Sequence, residues 1–419
     1  MRPSLLTRLR SAPLSFAEFV AMMAAAMAIY ALAIDTMLPA LPTIGRSFAV
    51  QNGNQLQWIV TFFVAGGGMG QLFYGPLADR FGRRPVLLFG LLLYALLSLL
   101  ASFSPSLPML LGLRVMQGLA GAAGSVIPRS IVRDRHGGAQ MAKVMSITFI
   151  IFLTVPVVAP SVGQALLLLM PWRGIFFFLA LSACSVAAWI ALRLPETMHP
   201  THRRPLSASH VAAAALKVLR EPTSIFYTLA TTALFGSLMA YISTLPQIFE
   251  TAFRRPALMP TVFAICAGTM ALCSFFNVRI VERVGMRRVS HGALVGFVLF
   301  SGTHLAVALG GRETLVSFIL LQALTMGCFG LAASNFNAIA MHHMAAIAGS
   351  AASVQGVITM VGGALLGSLI GHQWSGHVAF LPAGAFCCGA LALASLLIAE
   401  KARLFRKDPV APAVKHDQA

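Results

Sequence analysis

The chain is poor in charge, and poorest in acid. Of its 419 residues only 10% are charged, and 12 acids stand against 30 Lys and Arg side chains. A water-soluble domain carries roughly a quarter charged residues, so a soluble globular fold is excluded. Cysteine is scarce as well. Cys184, Cys266, Cys273, Cys328, Cys387 and Cys388 all fall within apolar runs and lack zinc-ligand spacing. Neither a disulfide framework nor a metal site is expected. His342-His343 has no further ligand cluster beside it. There is no Walker loop, so ATP is not the expected energy source. No repeated filter sequence suggests a channel. No cofactor is expected, and no catalytic cluster marks an enzyme.

What the chain has in quantity is apolar length. Hydrophobic residues make up 58% of it. Runs long enough to cross a bilayer recur at roughly 15–38, 55–78, 86–104, 107–130, 141–169, 173–194, 223–247, 258–281, 289–310, 314–337, 347–371 and 378–400. The fold class is therefore an all-α membrane protein with twelve transmembrane helices. The first run is too long for a cleavable leader and lacks a small-residue cleavage site.

A net charge of +18 invites a nucleic-acid reading, but its placement argues against one. Between alternate spans, one side of the membrane receives only Arg46, Arg173, Arg254, Arg255 and Arg312. Arg114 lies inside a span, and every other Lys and Arg falls on the opposite side. The positive-inside rule then predicts that both termini are cytoplasmic. The excess charge is an orientation signal that faces anionic lipid, and no nucleic-acid partner is expected.

The longest stretch between spans, 195–222, separates six spans from six and reads as a cytoplasmic linker. The expected organisation is a cytoplasmic N-terminus (1–14), a first bundle (15–194), the linker (195–222), a second bundle (223–400) and a cytoplasmic tail (401–419). An internal repeat marks the same cut. Asp79-Arg80-Phe81-Gly82 follows the second span, and Glu282-Arg283-Val284-Gly285 follows the eighth. Paired arginines come after both, Arg83-Arg84 and Arg287-Arg288. Membrane transporters are commonly built from such repeats, with the substrate site between the halves.

These stretches resemble a known family. Gly70 to Pro85, with Gly75, Asp79, Arg80, Gly82, Arg83 and Arg84, resembles the signature cytoplasmic loop of the major facilitator superfamily. Leu113-Arg114-Val115-Met116-Gln117-Gly118-Leu119-Ala120-Gly121 resembles its fourth-span motif in proton-coupled members. Val155-Pro156-Val157-Val158-Ala159-Pro160-Ser161-Val162-Gly163 resembles its fifth-span antiporter motif, with Ala159 and Gln164 where glycines are usual. Asp35-Thr36-Met37-Leu38-Pro39-Ala40-Leu41-Pro42 and Leu194-Pro195-Glu196-Thr197 are similar to the Bcr/CflA branch of drug:proton antiporters. The resemblance implies a major facilitator fold, two six-helix bundles around a central cavity. It also implies proton-driven efflux of small lipophilic drugs, chloramphenicol-like or bicyclomycin-like, by a monomer in the bacterial inner membrane. Its partners would be the small-molecule substrate, protons and the bilayer. A proton-coupled importer of a small metabolite shares the fold and is the alternative. A multi-span receptor or membrane enzyme fits less well.

Asp35 is the residue on which coupling is expected to rest. It alone among the acids lies well inside an apolar run. A charged aspartate at mid-bilayer costs about 2.5–3.5 kcal/mol unless it is wet, paired or protonated. Arg114 should lie at similar depth on the fourth span and seek an acid or a cavity, with backbone carbonyls and polar neighbours as the plainer alternative; the resemblance implies that it shares in proton coupling with Asp35. The Gly75–Arg84 loop is expected to act as a conformational switch, its charges pairing in one state and parting in the other. Pro156, Pro160 and Gly163 are expected to form a hinge, because proline removes an intrahelical donor. Candidates for the substrate cavity are Tyr30, Gln117, Tyr227, Tyr241, Asn335 and Gln355, with Gln247 also polar and membrane-placed. Helix-packing hydrogen bonds are the plainer reading for most of them.

Overall fold

The computed structural model describes residues 14–136, 138–198, 208–344 and 347–405. The basic residues expected at Arg2, Arg8, Arg10, Arg203, Arg204, Arg406, Lys407 and Lys415 lie outside that set. Among the described residues all regular structure is helical. That is the solution open to apolar runs in lipid, where each backbone N–H and C=O must be satisfied within its own segment.

In the first half the helices are α1 (Phe16–Asp35), α2 (Leu41–Ser47), α3 (Trp58–Phe81), α4 (Arg83–Ser102), α5 (Leu107–Arg135), α6 (Gly138–Leu169) and α7 (Arg173–Arg193). A connecting helix α8 (Ala208–Arg220) follows. The second half holds α9 (Pro222–Gln247), α10 (Met259–Val284), α11 (Met286–Leu309), α12 (Leu315–Ala340), α13 (Ala348–Gly371) and α14 (Phe380–Ala399). Eleven of these segments are long and apolar enough to cross a membrane, and α6, 32 residues long, contributes an apolar stretch at Thr154–Leu169.

Two sequence expectations need correction. The first span does not stop near 38. After Asp35 the chain passes through a 3-10 turn, Leu38–Ala40, into α2, so the apolar segment runs Phe16–Ser47. Pro39 and Pro42 lack backbone donors, which breaks the α-helix here without ending the span. The stretch read as linker also contains α8, which packs on α13 and α9. Its Val218 is fully buried with Met344, Ala351 and Val354.

The repeat seen in the sequence has a backbone counterpart. Gly82 (φ 101°, ψ 153°) joins α3 to α4, and Gly285 (φ 93°, ψ 150°) joins α10 to α11. Both glycines sit where a residue with a Cβ is strained.

The face bearing residues 14, 82, 136, 195, 221, 285 and 400 is called terminal below, and the opposite face distal. The halves meet along two seams, α3 on α13 and α6 on α10. At the distal face α9 also touches Leu38–Ala40, α2 and Gly53–Gln57.

Candidate functional site

Asp35 is the last residue of α1 and is only 4% exposed. Its carboxylate forms no ion pair and no hydrogen bond among the described residues. Immediately after it the Thr36 hydroxyl and N–H both turn back to Leu32 O. α6 closes on this break. A Cβ on Gly163 would lie 2.2 Å from Thr36 O and 3.1 Å from Pro39 Cγ, so only glycine lets the two backbones approach. Gly163 is therefore a contact point against the turn that follows Asp35. Pro156 and Pro160 lie inside α6, which stays an unbroken helix through both.

Arg114, fully buried on α5, does not pair with Asp35. Its Nε donates to Ile59 O at 3.0 Å, Nη2 to Ala33 O at 3.0 Å and Nη1 to Gln117 Oε1 at 2.7 Å. The guanidinium carbon stands 4.2 Å from the centroid of the Phe63 ring. The expected acid–base pair is thus replaced by carbonyls, an amide and an aromatic face. Planar guanidinium suits this set, since its fork reaches several acceptors at once. The link to Asp35 runs through backbone: Ala33, held by Arg114, lies two residues before it on the last turn of α1. Tyr30, one turn earlier, packs on Phe63 with ring centroids 4.9 Å apart. Its hydroxyl is buried without a partner among the described residues.

Several cavity candidates lie elsewhere. Gln117 is buried within the first half and passes the Arg114 contact on to Ser98 Oγ at 2.6 Å. Tyr227 donates to Glu400 Oε1 at 2.7 Å and meets His291 Nε2 at 2.9 Å, inside the packing of α9, α11 and α14. Tyr241 stacks on Phe263 with centroids 5.9 Å apart. Asn335 pairs with Asn277 at 2.9 Å between α12 and α10. Gln355 donates to Ser224 Oγ at 2.8 Å and Ala340 O at 3.1 Å, tying α13 to α9 and α12. Gln117, Tyr227, Asn335 and Gln355 thus satisfy their polar groups inside one half, as a buried polar side chain in lipid requires, whereas the Tyr241 hydroxyl is buried without a partner among the described residues.

The charged loop is built around a helix N-terminus. Glu196 accepts from the N–H of Arg83 at 3.1 Å and of Arg84 at 3.2 Å. These are the first two amides of α4, where partial positive charge favours an anion. Gly82 leaves room: a Cβ there would stand 2.6 Å from Glu196 Oε2. The buried Arg83 side chain bridges Asp79 at 2.6 Å and Asp134 at 2.9 Å. Arg84 donates to Ala191 O at 2.7 Å. Arg80 lies against Phe81, 5.2 Å from its ring centroid. In this arrangement these contacts all stay within the first half. Across the halves at this level, Gly75 faces Ser353 and Gln71 meets Met360 Sδ at 2.7 Å.

The hydrogen bonds that close the distal face join residues which the sequence did not single out as a gate. Gln57 donates to Gln247 Oε1 at 2.9 Å and to Gly371 O at 3.0 Å. Asn54 donates to His372 O at 3.1 Å and Trp374 O at 3.3 Å. Gln57 and Asn54 lie at the start of an apolar run, where glutamine and asparagine look like ordinary boundary residues. Nothing in the sequence pairs them with residues nearly 200 to 320 positions away.

Comparison with known proteins agrees with this architecture. Residues 16–366 match the Major Facilitator Superfamily. A bicyclomycin resistance protein homolog of Haemophilus influenzae is 30% identical over 338 residues, 80% of this chain and 84% of the relative. A chloramphenicol resistance protein of Pseudomonas aeruginosa is 30% identical, over 81% and 79% of the two chains. A multidrug resistance protein of Klebsiella pneumoniae is 26% identical over 91% and 95%. Among solved structures, a D-xylose–proton symporter superposes with a TM-score of 0.73 at 14% identity, covering 94% of this chain and 99% of its own. That degree of identity speaks for the fold alone. The chain is a multi-pass membrane transporter rather than an enzyme, and it belongs to the major facilitator superfamily.

Proposed function

We propose that this transporter expels small lipophilic drugs from a bacterial cell in exchange for protons, with the terminal face cytoplasmic and the inner membrane as its site. It needs no cofactor and works as a monomer. Chloramphenicol-like and bicyclomycin-like compounds are the first substrates to try, because relatives across four fifths of the chain carry those names.

The observation that carries the coupling is the buried, unpaired carboxylate of Asp35 at a helix break. Arg114 is committed to other acceptors and supplies no ion pair. A charge so placed costs about 2.5–3.5 kcal/mol, which protonation removes. In the proposed cycle Asp35 takes a proton from the distal side, releases the drug, and lets the halves rock. On the terminal side the drug displaces the proton. The distal-closed arrangement seen here is the state that would load drug from the cytoplasm. One charge crossing 100 mV supplies about 2.3 kcal/mol and one pH unit about 1.4 kcal/mol. Together they sustain a roughly few-hundred-fold gradient of a neutral drug per proton.

Everted membrane vesicles test this. After acidification of the lumen, adding chloramphenicol should release protons through the wild-type protein. Asp35→Asn should express and insert normally but release none. Drug-dependent proton release by Asp35→Asn at the wild-type rate removes Asp35 from the mechanism. Proton-coupled uptake in right-side-out vesicles would instead establish an importer.

A further inference from the structure

The distal face contains a cavity of about 490 Å³ that is separate from the surroundings of Asp35. Its first-half wall comes from α2 and the Gln51–Leu56 stretch, and its second-half wall from the end of α9, Glu250-Thr251 and Trp374–Gly376. The size suits a small organic ligand. Its charges are arranged in a particular way. The first half contributes a cation, Arg46, and the second half an anion, Glu250. Both residues are exposed, and neither side chain has an ion pair or hydrogen bond among the described residues. Leu41, Leu56, Pro246 and Trp374 also line the cavity.

We propose that this cavity is a second ligand site, one that takes a small zwitterion with an aromatic body and holds the two halves closed at the distal face. A simple anion would gain Arg46 but meet Glu250, and a simple cation would suffer the reverse. A dipolar molecule satisfies both, and its ring can lie against Trp374. Because the walls come from opposite halves and include Asn54 and Gln247 of the distal hydrogen bonds, a bound ligand favours the closed arrangement over an open one. The site therefore acts as a brake on alternation, whatever the transported substrate is.

The test uses the purified full-length protein in nanodiscs, with no drug and no proton gradient, so its result is independent of the efflux reading. The probe is 3-(1-pyridinio)-1-propanesulfonate, whose pyridinium ring quenches indole fluorescence. N-propylpyridinium and propanesulfonate serve as the singly charged controls. Saturable quenching by the zwitterion is expected at a concentration about tenfold below that needed with N-propylpyridinium, and propanesulfonate should compete only weakly. The quenched signal should vanish in Trp374→Phe. Arg46→Gln and Glu250→Gln, both changes of exposed side chains, should each erase the tenfold advantage. Amide exchange at residues 53–57 and 371–374 should slow when the zwitterion is bound. Quenching that is not saturable, that survives in Trp374→Phe, or that is unchanged in both charge variants overturns the proposal.

Discussion

Gln57 of the first half and Gln247 of the second meet side chain to side chain, Nε2 to Oε1, at 2.9 Å. The same Gln57 amide also reaches Gly371 O. Two hydrogen bonds from one residue thus tie α9 and α13 to the start of α3. Each is worth about 0.5–1.5 kcal/mol. Gln57→Ala should therefore shift the protein toward a distal-open form by roughly tenfold. Spin labels at residues 52 and 375, in a background free of exposed cysteines, would report it as growth of a longer-distance population. Gly371→Ala should act in the same direction, since its Cβ would fall 1.9 Å from Gln57 Oε1. An unchanged distance distribution in both variants would mean that the glutamines do not hold this face shut.

At the terminal face the sensitive position is Gly82. With φ at 101° and Glu196 beside it, alanine there is strained twice over. Gly82→Ala is expected to cost about 1–3 kcal/mol from backbone strain. It should also displace Glu196 from the first amides of α4. Glu196→Gln keeps the shape but loses the charge, and should cost about 1 kcal/mol. Thermal unfolding in detergent can rank them. Gly82→Ala should melt lowest, Glu196→Gln next, and the double variant should fall short of the sum because the two share one contact. A fully additive pair would break the link between glycine and carboxylate.

That capping carboxylate shows where sequence reading succeeds and where it stops. The turn itself was legible, because glycine and arginine spacing recurs at Gly285 after the eighth span. The span count was legible for an equally simple reason: apolar length in lipid dictates helix. Asp35 was legible because an acid inside an apolar run has no inexpensive explanation. Partners were not. Glu196 lies more than a hundred residues from Arg83, and Gln57 some 190 from Gln247. Arg114 looked like a partner for an acid, yet three acceptors without a full charge satisfy it. Tyr227, Asn335 and Gln355 looked available to a substrate because polarity is visible in a sequence and helix rotation is not. The continuation of the first span to Ser47 was hidden by Pro39 and Pro42, which resemble a terminus when read one residue at a time.

A pH dependence follows from the start of α9. Glu221 caps this helix by accepting from the Ser224 N–H, and it meets His343 Nδ1 at 2.9 Å. Burial alone would raise its carboxyl, but the His343 contact and the Ser224 and Thr223 amides outweigh it and hold the group below its usual value of 4.5. The stability this provides is complete above that usual value. It is lost as pH falls through the lower folded value, where the carboxylate finally takes a proton. Unfolding midpoints measured from pH 6 downward should drop more steeply for the wild type than for Glu221→Gln, which has already lost the charge. Parallel curves would show that Glu221 contributes no acid sensitivity.

The buried guanidinium of Arg114 allows a test in which charge is kept and only shape is changed. Arg114→Lys retains a cation, but one ammonium cannot reach Ile59 O, Ala33 O and Gln117 Oε1 together along three separate directions. At least one of those acceptors loses its partner in a site with no exposure to water. An unmet buried polar group costs about 1–3 kcal/mol. Arg114→Leu removes the charge as well and frees all three, so it should be the more damaging. Because Ala33 lies two residues before Asp35, loosening its carbonyl also loosens the helix end that positions the carboxylate. Arg114→Lys should accordingly lose drug-dependent proton release by more than its fall in melting temperature explains. Gln117→Leu leaves Ala33 and Ile59 held, so it should lower stability while leaving coupling largely intact. If Arg114→Lys and Gln117→Leu lose coupling in equal measure, the carbonyl of Ala33 is not the element through which Arg114 acts.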